Sequence, residues 1–487
     1  MILMQITIEL LLFIIGILLL LAVIASKVSG RLGVPALVLF LALGMLAGSD
    51  GLGGIHFDNP WLAQLVGTAA LAYILFSGGL DTRLDLVRPA VIPSLVLSTV
   101  GVALTATLVG WFATRALGFT WLEGILLGAI VSSTDAAAVF SILRSRDTRL
   151  RGNLEPLLEM ESGSNDPMAI FLTLGMVRLL SDPALSPASL IPFFIIQFGL
   201  GGLGGFLFGK LGLWLLNTIK LREDGLYSVL TTALVVFVYG ATASIGGNGF
   251  LAVYLAGLVM GNGAFVHRRS LTRFHDGIAW LMQIVMFLVL GLQVFPSQLP
   301  AIATIGFLTA IFLVMVARPV SIFIALLPFR FSLPEKLLVS WVGLRGAAPI
   351  VLATFPLLAG LEKSNLLFNL VFFVVLLSVL LQGSSIPFVA RLLKLNLAKP
   401  AGISPDTPET LLEKYPGKIL DVVIQSHSPA HGKRIVEMDL PLDILLVIIK
   451  RGEQVFLPRG DIVLQAGDHI LVATAPENIN VIRSRLG

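Results

Sequence analysis

The sequence predicts an all-α polytopic membrane protein with a small α+β domain at its C-terminus, and three observations carry that prediction. Hydrophobic residues fill 56% of the 487 positions and charged ones only 13%, too few to cover a soluble protein of this length. The apolar residues come in runs of roughly 20, enough to cross a hydrocarbon core of about 30 Å. Past Lys399 the texture changes to short β patterns separated by turn signals.

The runs predict thirteen spans, at approximately 7–26, 34–48, 62–80, 90–113, 121–143, 154–178, 189–216, 225–245, 249–265, 277–295, 298–328, 335–358 and 364–393. Met1 to Ile24 is apolar nearly from its start and has no basic leader, so it reads as a retained first span and not a signal peptide. Basic residues test the count, because they gather in alternate loops. One set holds Lys27 and Arg31; Arg83 and Arg88; Arg144, Arg146, Arg149 and Arg151; Lys220 and Arg222; Arg268, Arg269 and Arg273; Arg330 and Lys336. The opposite set holds only Arg115, Arg178 and Lys363. That split places the N-terminus outside and the C-terminus in the cytoplasm, and the membrane expected is the cell inner membrane. It also accounts for the net charge of +4 without a nucleic-acid patch.

The predicted domains are a membrane domain over 1–396, a linker over 397–416 and a soluble domain over 417–487. The linker is rich in Pro, Ser and Thr. The soluble domain reads as strands ILDVVIQ, ILLVIIKR, QVFLP and HILVAT, with a short helix near Gly432 and a last one from Pro476 to Arg485.

Two spans carry matching interruptions. Span 5 contains SSTDAAA (Ser132 to Ala138) and span 12 contains GLRGAAP (Gly343 to Pro349). Each places a charge among helix-weakening residues near mid-membrane. The two lie seven spans apart, as inverted repeats of spans 1–6 and 8–13 would require. Paired broken helices of this kind point to a transporter's binding site.

Ionisable residues deep in the predicted spans are Asp135, Glu161, Asp166, Arg318 and Arg345. Burying one costs about 2.5–3.5 kcal/mol on insertion scales, so each needs a partner or a task. Three acids against two arginines leave one acid unmatched, which suits a transported ion. On span 6 Ser162 and Asp166 share a face, while Glu161 and Asn165 share the next, about 100° around the helix. Pro167 frees carbonyls just upstream. The residues thus favour Asp166 as the working carboxylate and Glu161 as a structural one, with Arg318 its counter-ion. Asp135, beside Thr134, offsets the positive end of a half-helix, and Arg345 balances a negative end. A desolvated carboxylate holds its proton to higher pH and a bound cation displaces it, so competition at one site couples the two. His56, His267, His275, His427, His431 and His469 all fall in predicted loops or the soluble domain, leaving a carboxylate as proton carrier.

Other chemistry finds little support. The chain has no cysteine, which excludes disulfides and thiolate metal sites. GGFLFGKL (Gly204 to Leu211) approaches a phosphate-binding loop, but Leu211 replaces the required hydroxyl and the stretch lies in a span. No nucleophile–His–Asp set or zinc spacing is present, so no enzyme and no transport cofactor is expected. A ligand-gated potassium channel is the alternative from another class, and it lacks a filter resembling TVGYG.

With these residues in view, the chain resembles the NhaP-type monovalent cation:proton antiporters. The carrying segments are LFSGGLDTR (Leu75 to Arg83), SSTDAAAVF (Ser132 to Phe140), ESGSNDPMA (Glu161 to Ala169), GNGFLAVYLAGLVMGN (Gly247 to Asn262) and GLRGAAPI (Gly343 to Ile350). The C-terminal segment, with PLDILLVIIKRGEQVFLPRGD (Pro441 to Asp461), resembles a TrkA-C regulatory domain. The combination is similar to bacterial potassium/proton antiporters. The resemblance implies thirteen helices, a homodimer and alternating access of a core domain against a dimerisation domain. It implies a K+ or Na+ site at Asp166 and Asn165 with Ser162, Thr134 and Asp135 around the ion, and a Glu161–Arg318 pair. Asn165 before Asp166 implies electroneutral exchange and argues against an electrogenic, glutathione-gated exchanger, which would carry a second Asp. Ser77 stands where some sodium-selective relatives carry an acid, which argues against strict sodium preference. A TrkA-C domain implies a small regulatory ligand, often a nucleotide. Some potassium-type relatives continue into a further soluble domain, which leaves room for one beyond Gly487.

Overall fold

The computed structural model describes residues 7–486 except 33–34, 58, 146–147, 149, 397–417, 426, 439, 442–443, 453, 475–477, 479–481 and 483–484. The chain divides into two compact units, Met1–Leu397 and Ala398–Gly487. The expected linker, 397–416, lies outside the described residues.

The first unit is built from helices. They are α1 (Ile8–Leu32), α2 (Ala36–Ala47), α3 (Pro60–Asp81), α4 (Leu84–Ala116), α5a (Trp121–Ile130), α5b (Ala136–Ser145), α6 (Leu154–Ser181), α7 (Pro187–Thr218) and α8 (Asp224–Ser244). After these come α9 (Gly249–Gly261), α10 (Arg268–Leu292), α11 (Pro296–Ala325), α12a (Leu333–Trp341), α12b (Ala348–Leu358) and α13 (Ser364–Leu392). Among the described residues eight are long and apolar enough to cross a membrane: α1, α3, α4, α7, α8, α10, α11 and α13. Shorter apolar helices are α2, α5a, α9 and α12b. This is a polytopic membrane fold.

Local chemistry sets several helix starts. Asn59 accepts a hydrogen bond from the Leu62 amide ahead of Pro60, and Asn248 accepts one from Leu251, so each satisfies an amide that its helix leaves open. Thr120 with Glu123 and Ser332 with Glu335 form reciprocal capping boxes for α5a and α12a. Both helices then break where the sequence expects. Val131 to Asp135 separates α5a from α5b, and Val342 to Ala347 separates α12a from α12b. In the first break Ser132 donates to its own Ala129 carbonyl at 2.6 Å, a bond that competes with the helical ladder. Pro349 opens α12b, where its missing N–H costs nothing.

The boundary that differs most from expectation is the start of α10. α10 begins at Arg268, not near 277, because its first turns (RRSLTRFHD) are too polar for a hydropathy reading yet continue the helix. His275 is therefore helical and buried and not in a loop. Its Nε2 lies 2.8 Å from Thr231 Oγ1 and its ring meets Phe76 edge-on at 4.9 Å.

The second unit is a four-stranded antiparallel sheet in the order β1-β4-β2-β3: β1 (Lys418–Val423), β2 (Leu445–Arg451), β3 (Gln454–Phe456) and β4 (His469–Thr474). Ile449, Ile470 and Val472 are fully buried in its core. The short helix expected near Gly432 is a single tight turn, Ile435–Met438. Most of the last expected helix lies outside the described residues.

Candidate functional site

The two helix breaks abut. The Asp135 amide donates to the Leu344 carbonyl at 2.8 Å, and Arg345 Nη1 donates to the Ser133 carbonyl at 2.9 Å. Asp135 Oδ1 accepts from the Ala138 amide at 2.9 Å, so the acid caps α5b where the helix dipole is positive. Arg345 reaches across to the segment that follows α5a, where carbonyls point out. The charge of each break thus serves a neighbouring helix end. Gly346 makes the approach feasible, since a Cβ there would overlap the Asp135 carboxylate.

α6 packs its middle against these breaks. Ser133 Oγ donates a hydrogen bond to Asp166 Oδ1. Asn165 Nδ2 donates to Thr134 Oγ1 at 2.5 Å, and Ser162 Oγ donates to the Thr134 carbonyl at 2.8 Å. Asn165 is fully buried, and its Oδ1 has no protein partner among the described residues. Asn248, which caps α9, donates to the Pro167 carbonyl at 3.0 Å.

Asp166, Asp135, Ser133, Thr134 and Ser162 line one cavity of about 290 Å³. The rest of its lining includes residues of α3, Tyr254 of α9, and Gln283 and Met286 of α10. No Lys, Arg or His is among the described residues lining it. Thr82 and Glu159 also line it, bonded to each other at 2.9 Å.

Glu161 has different surroundings. Its Oε1 lies 2.7 Å from Arg318 Nη2, with both side chains 2% exposed or less. The contact is an ion pair by distance without an N–H aimed along it, since Glu161 Oε1 has no hydrogen-bond partner. The space beside this pair is about 10 Å³, close to the least that holds one water.

The structure thus gathers Asp166, Asn165, Ser162, Thr134 and Asp135 at the crossing of the breaks and sets Glu161 with Arg318 to one side. Sequence reasoning missed Ser133, the hydroxyl on Asp166, although it adjoins Thr134 in the same motif. It also missed Glu159 and other residues of the cavity lining. Tyr254 sits inside the GNGFLAVYLAGLVMGN segment, and Gln283 is a lone polar residue in an apolar run. Among the described residues no cluster of His, Cys, Asp and Glu is suited to a resident metal.

Comparisons with known proteins agree along the chain. The family model for the transmembrane part of sodium/hydrogen exchangers matches residues 16–392, and the TrkA-C domain model matches 419–487. The chain is similar to the K(+)/H(+) antiporter NhaP of Alkalimonas amylolytica, 41% identical over 98% of this chain and 84% of that protein. It is 43% identical to the K(+)/H(+) antiporter NhaP2 of Shewanella baltica (strain OS223), over 95% of this chain and 80% of that one. Among solved structures, that of the sodium proton antiporter MjNhaP1 from Methanocaldococcus jannaschii at pH 8 gives a TM-score of 0.68. The match is 25% identical and covers 79% of this chain and 99% of that chain.

Proposed function

The chain belongs to the sodium/hydrogen exchanger family and carries a TrkA-C domain, and we propose that it exchanges a monovalent cation, K+ in preference to Na+, for protons one for one. The carrying observation is Asp166, buried to 7% exposure yet lining a 290 Å³ cavity at the crossing of two broken helices. A carboxylate so placed can hold a proton or a cation but not both. Competition between them is the coupling.

The surrounding oxygens suit a hard monovalent ion. Thr134, Ser162 and Asp135 bring hydroxyl, carbonyl and carboxylate groups to the same cavity. Asn165 contributes an amide where a second acid would bring a second titrating charge, which supports electroneutral exchange. The names of the similar proteins, both K(+)/H(+) antiporters, favour K+, as does Ser77 in place of an acid.

In this reading α1 to α13 each cross the inner membrane once, with the N-terminus outside. Helices α1–α6 and α8–α13 are the inverted repeats, and α5 and α12 are the broken crossing pair. The walls carrying α5, α6 and α12 move against those carrying α3, α9 and α10, in each half of a homodimer. The TrkA-C domain is cytoplasmic and tunes the exchange through a nucleotide or other small ligand. Purified protein in proteoliposomes, with K+ or Na+ varied against an imposed pH gradient, tests the proposal. Dissipation of the gradient by K+ without added charge-compensating ionophore supports it. A requirement for ionophore, or no response to either cation, overturns it.

A further inference from the structure

Helix α13 takes no direct part in the site, yet a series of hydrogen bonds, joined through the covalent frames of Arg345 and Ser133, links it to Asp166. Its middle contains one wide turn, Val379–Gly383. On the buried side of that turn lie Ser378, 2% exposed, and Gln382, 1% exposed. Gln382 Nε2 donates to the Trp341 carbonyl at 2.9 Å. Ser378 Oγ donates to Gln382 Oε1 at 2.5 Å and accepts from the Arg345 amide at 3.0 Å. Arg345 then holds the Ser133 carbonyl, and Ser133 holds Asp166.

Each bond in this set has a reason to exist. Trp341 ends α12a, so its carbonyl has no helical donor, and the Arg345 amide lies in the unwound segment. Inside a bilayer no water is at hand to satisfy such groups. The two side chains of α13 meet them: Ser378 accepts from one partner and donates to another, and the Gln382 amide uses its nitrogen on one side and its oxygen on the other. The amide of Gln382 can therefore face only one way, and the position of Arg345 follows from it.

We propose that Ser378 and Gln382 are positioning residues of the exchange reaction, which set the place of the Ser133 hydroxyl on Asp166 through Arg345. The proposal rests on Asp166 being the exchange site. The wide turn makes α13 a part of the ion site at one remove. Loosening either side chain frees Arg345, lets Ser133 drift and weakens a donor that favours the charged carboxylate.

The test uses the full chain in proteoliposomes, with exchange measured against K+ concentration at a series of pH values. Ser378→Ala and Gln382→Leu are expected to raise the apparent KM for K+ about tenfold and to move the pH of half-maximal exchange up by about one unit. Ser378→Thr, which keeps the hydroxyl, is expected to return both toward wild type. Leu380→Ala, on the exposed side of the same turn, is expected to change neither. A lowered melting temperature in Ser378→Ala with KM and pH midpoint unmoved overturns the proposal, because that is the signature of a purely structural bond. If Gln382→Leu fails to fold, Ser378→Ala decides alone, since it removes one hydroxyl and little bulk. Asp166→Asn runs as a separate arm. Exchange that survives there overturns the site itself, whatever the α13 variants do.

Discussion

Glu161 and Asp166 sit five residues apart on one helix, which turns their side chains about 140° from each other. One side of α6 is closed around an ion pair at 2.7 Å with about 10 Å³ of space. The other opens on a cavity of about 290 Å³ with Ser133 as the hydrogen-bond donor to Asp166. In the proposed function the same chemical group is a fixed strut on one face and an exchangeable site on the other. Burial alone does not distinguish the two, since both are nearly inaccessible. A permanent cation does: Arg318 occupies the place beside Glu161 that a transported ion would take beside Asp166.

The largest effect expected from breaking this contrast is at Asp166. Asp166→Asn should abolish exchange while the protein folds and inserts as before, because the amide can still accept from Ser133 but cannot carry the proton. Transport assays on a well-expressed variant check this, and substantial residual exchange would move the proton site to Asp135.

The opposite result is expected on the other face. Glu161→Ala and Arg318→Ala should each lower thermal stability by about 3–5 kcal/mol, since each leaves a buried charge without its partner. Melting curves should place both below Asp166→Asn. A double-mutant cycle with no coupling energy between the two would sink the pairing.

A smaller effect is expected when the soluble domain is removed. All the groups contrasted on α6 and its neighbours lie before residue 350. A truncation after Lys399 should therefore still exchange cations for protons, with rate or pH dependence altered by the equivalent of about 1–3 kcal/mol. Complete loss of exchange in a correctly inserted truncation would falsify the regulatory role of the domain.

The smallest effect sharpens the comparison outside the membrane. Arg451 Nε lies 2.7 Å from Asp468 Oδ1, and Asp468 is fully buried. Burial pushes that carboxyl up, but the Arg451 guanidinium and the Gln465 amide outweigh it and hold it below the usual carboxylate range. A lowered folded-state value contributes stability that is present above the unfolded value of about 3.9 and is lost as pH falls below it. Arg451→Ala should loosen the sheet by about 1–2 kcal/mol at neutral pH, read as faster amide exchange at Ile470 and Val472. The gap from wild type should narrow in acid and stay constant from about pH 6 to 8. A gap that changes across neutral pH would mean that this pair is used as a titrating site, as proposed for Asp166.

Much of this was legible in the chain because charge in a membrane is scarce. Asp166, Glu161, Arg318, Asp135 and Arg345 could be picked out one by one, and their residue types implied who faces whom. Both helix breaks were legible because Ser-Ser-Thr-Asp and Gly-Leu-Arg-Gly compete with the helical ladder. What escaped notice was Glu159, a charge near the start of α6, and otherwise residues that are neutral or amphipathic. Ser133, Tyr254, Gln283, Ser378 and Gln382 are ordinary polar residues in helical runs, and only packing tells which of them turn toward a break or a cavity. His275 was misplaced for a related reason: the start of α10 is helical but polar, and hydropathy registers polarity before periodicity.

The most direct test of the central claim is proton release on cation binding. Adding K+ to detergent-purified wild-type protein in weak buffer near neutral pH should release about one proton per bound cation, because both compete for Asp166. The release should vanish in Asp166→Asn and persist in the Glu161→Ala/Arg318→Ala double variant. Cation binding without proton release in the wild type, or release undiminished in Asp166→Asn, would contradict the account.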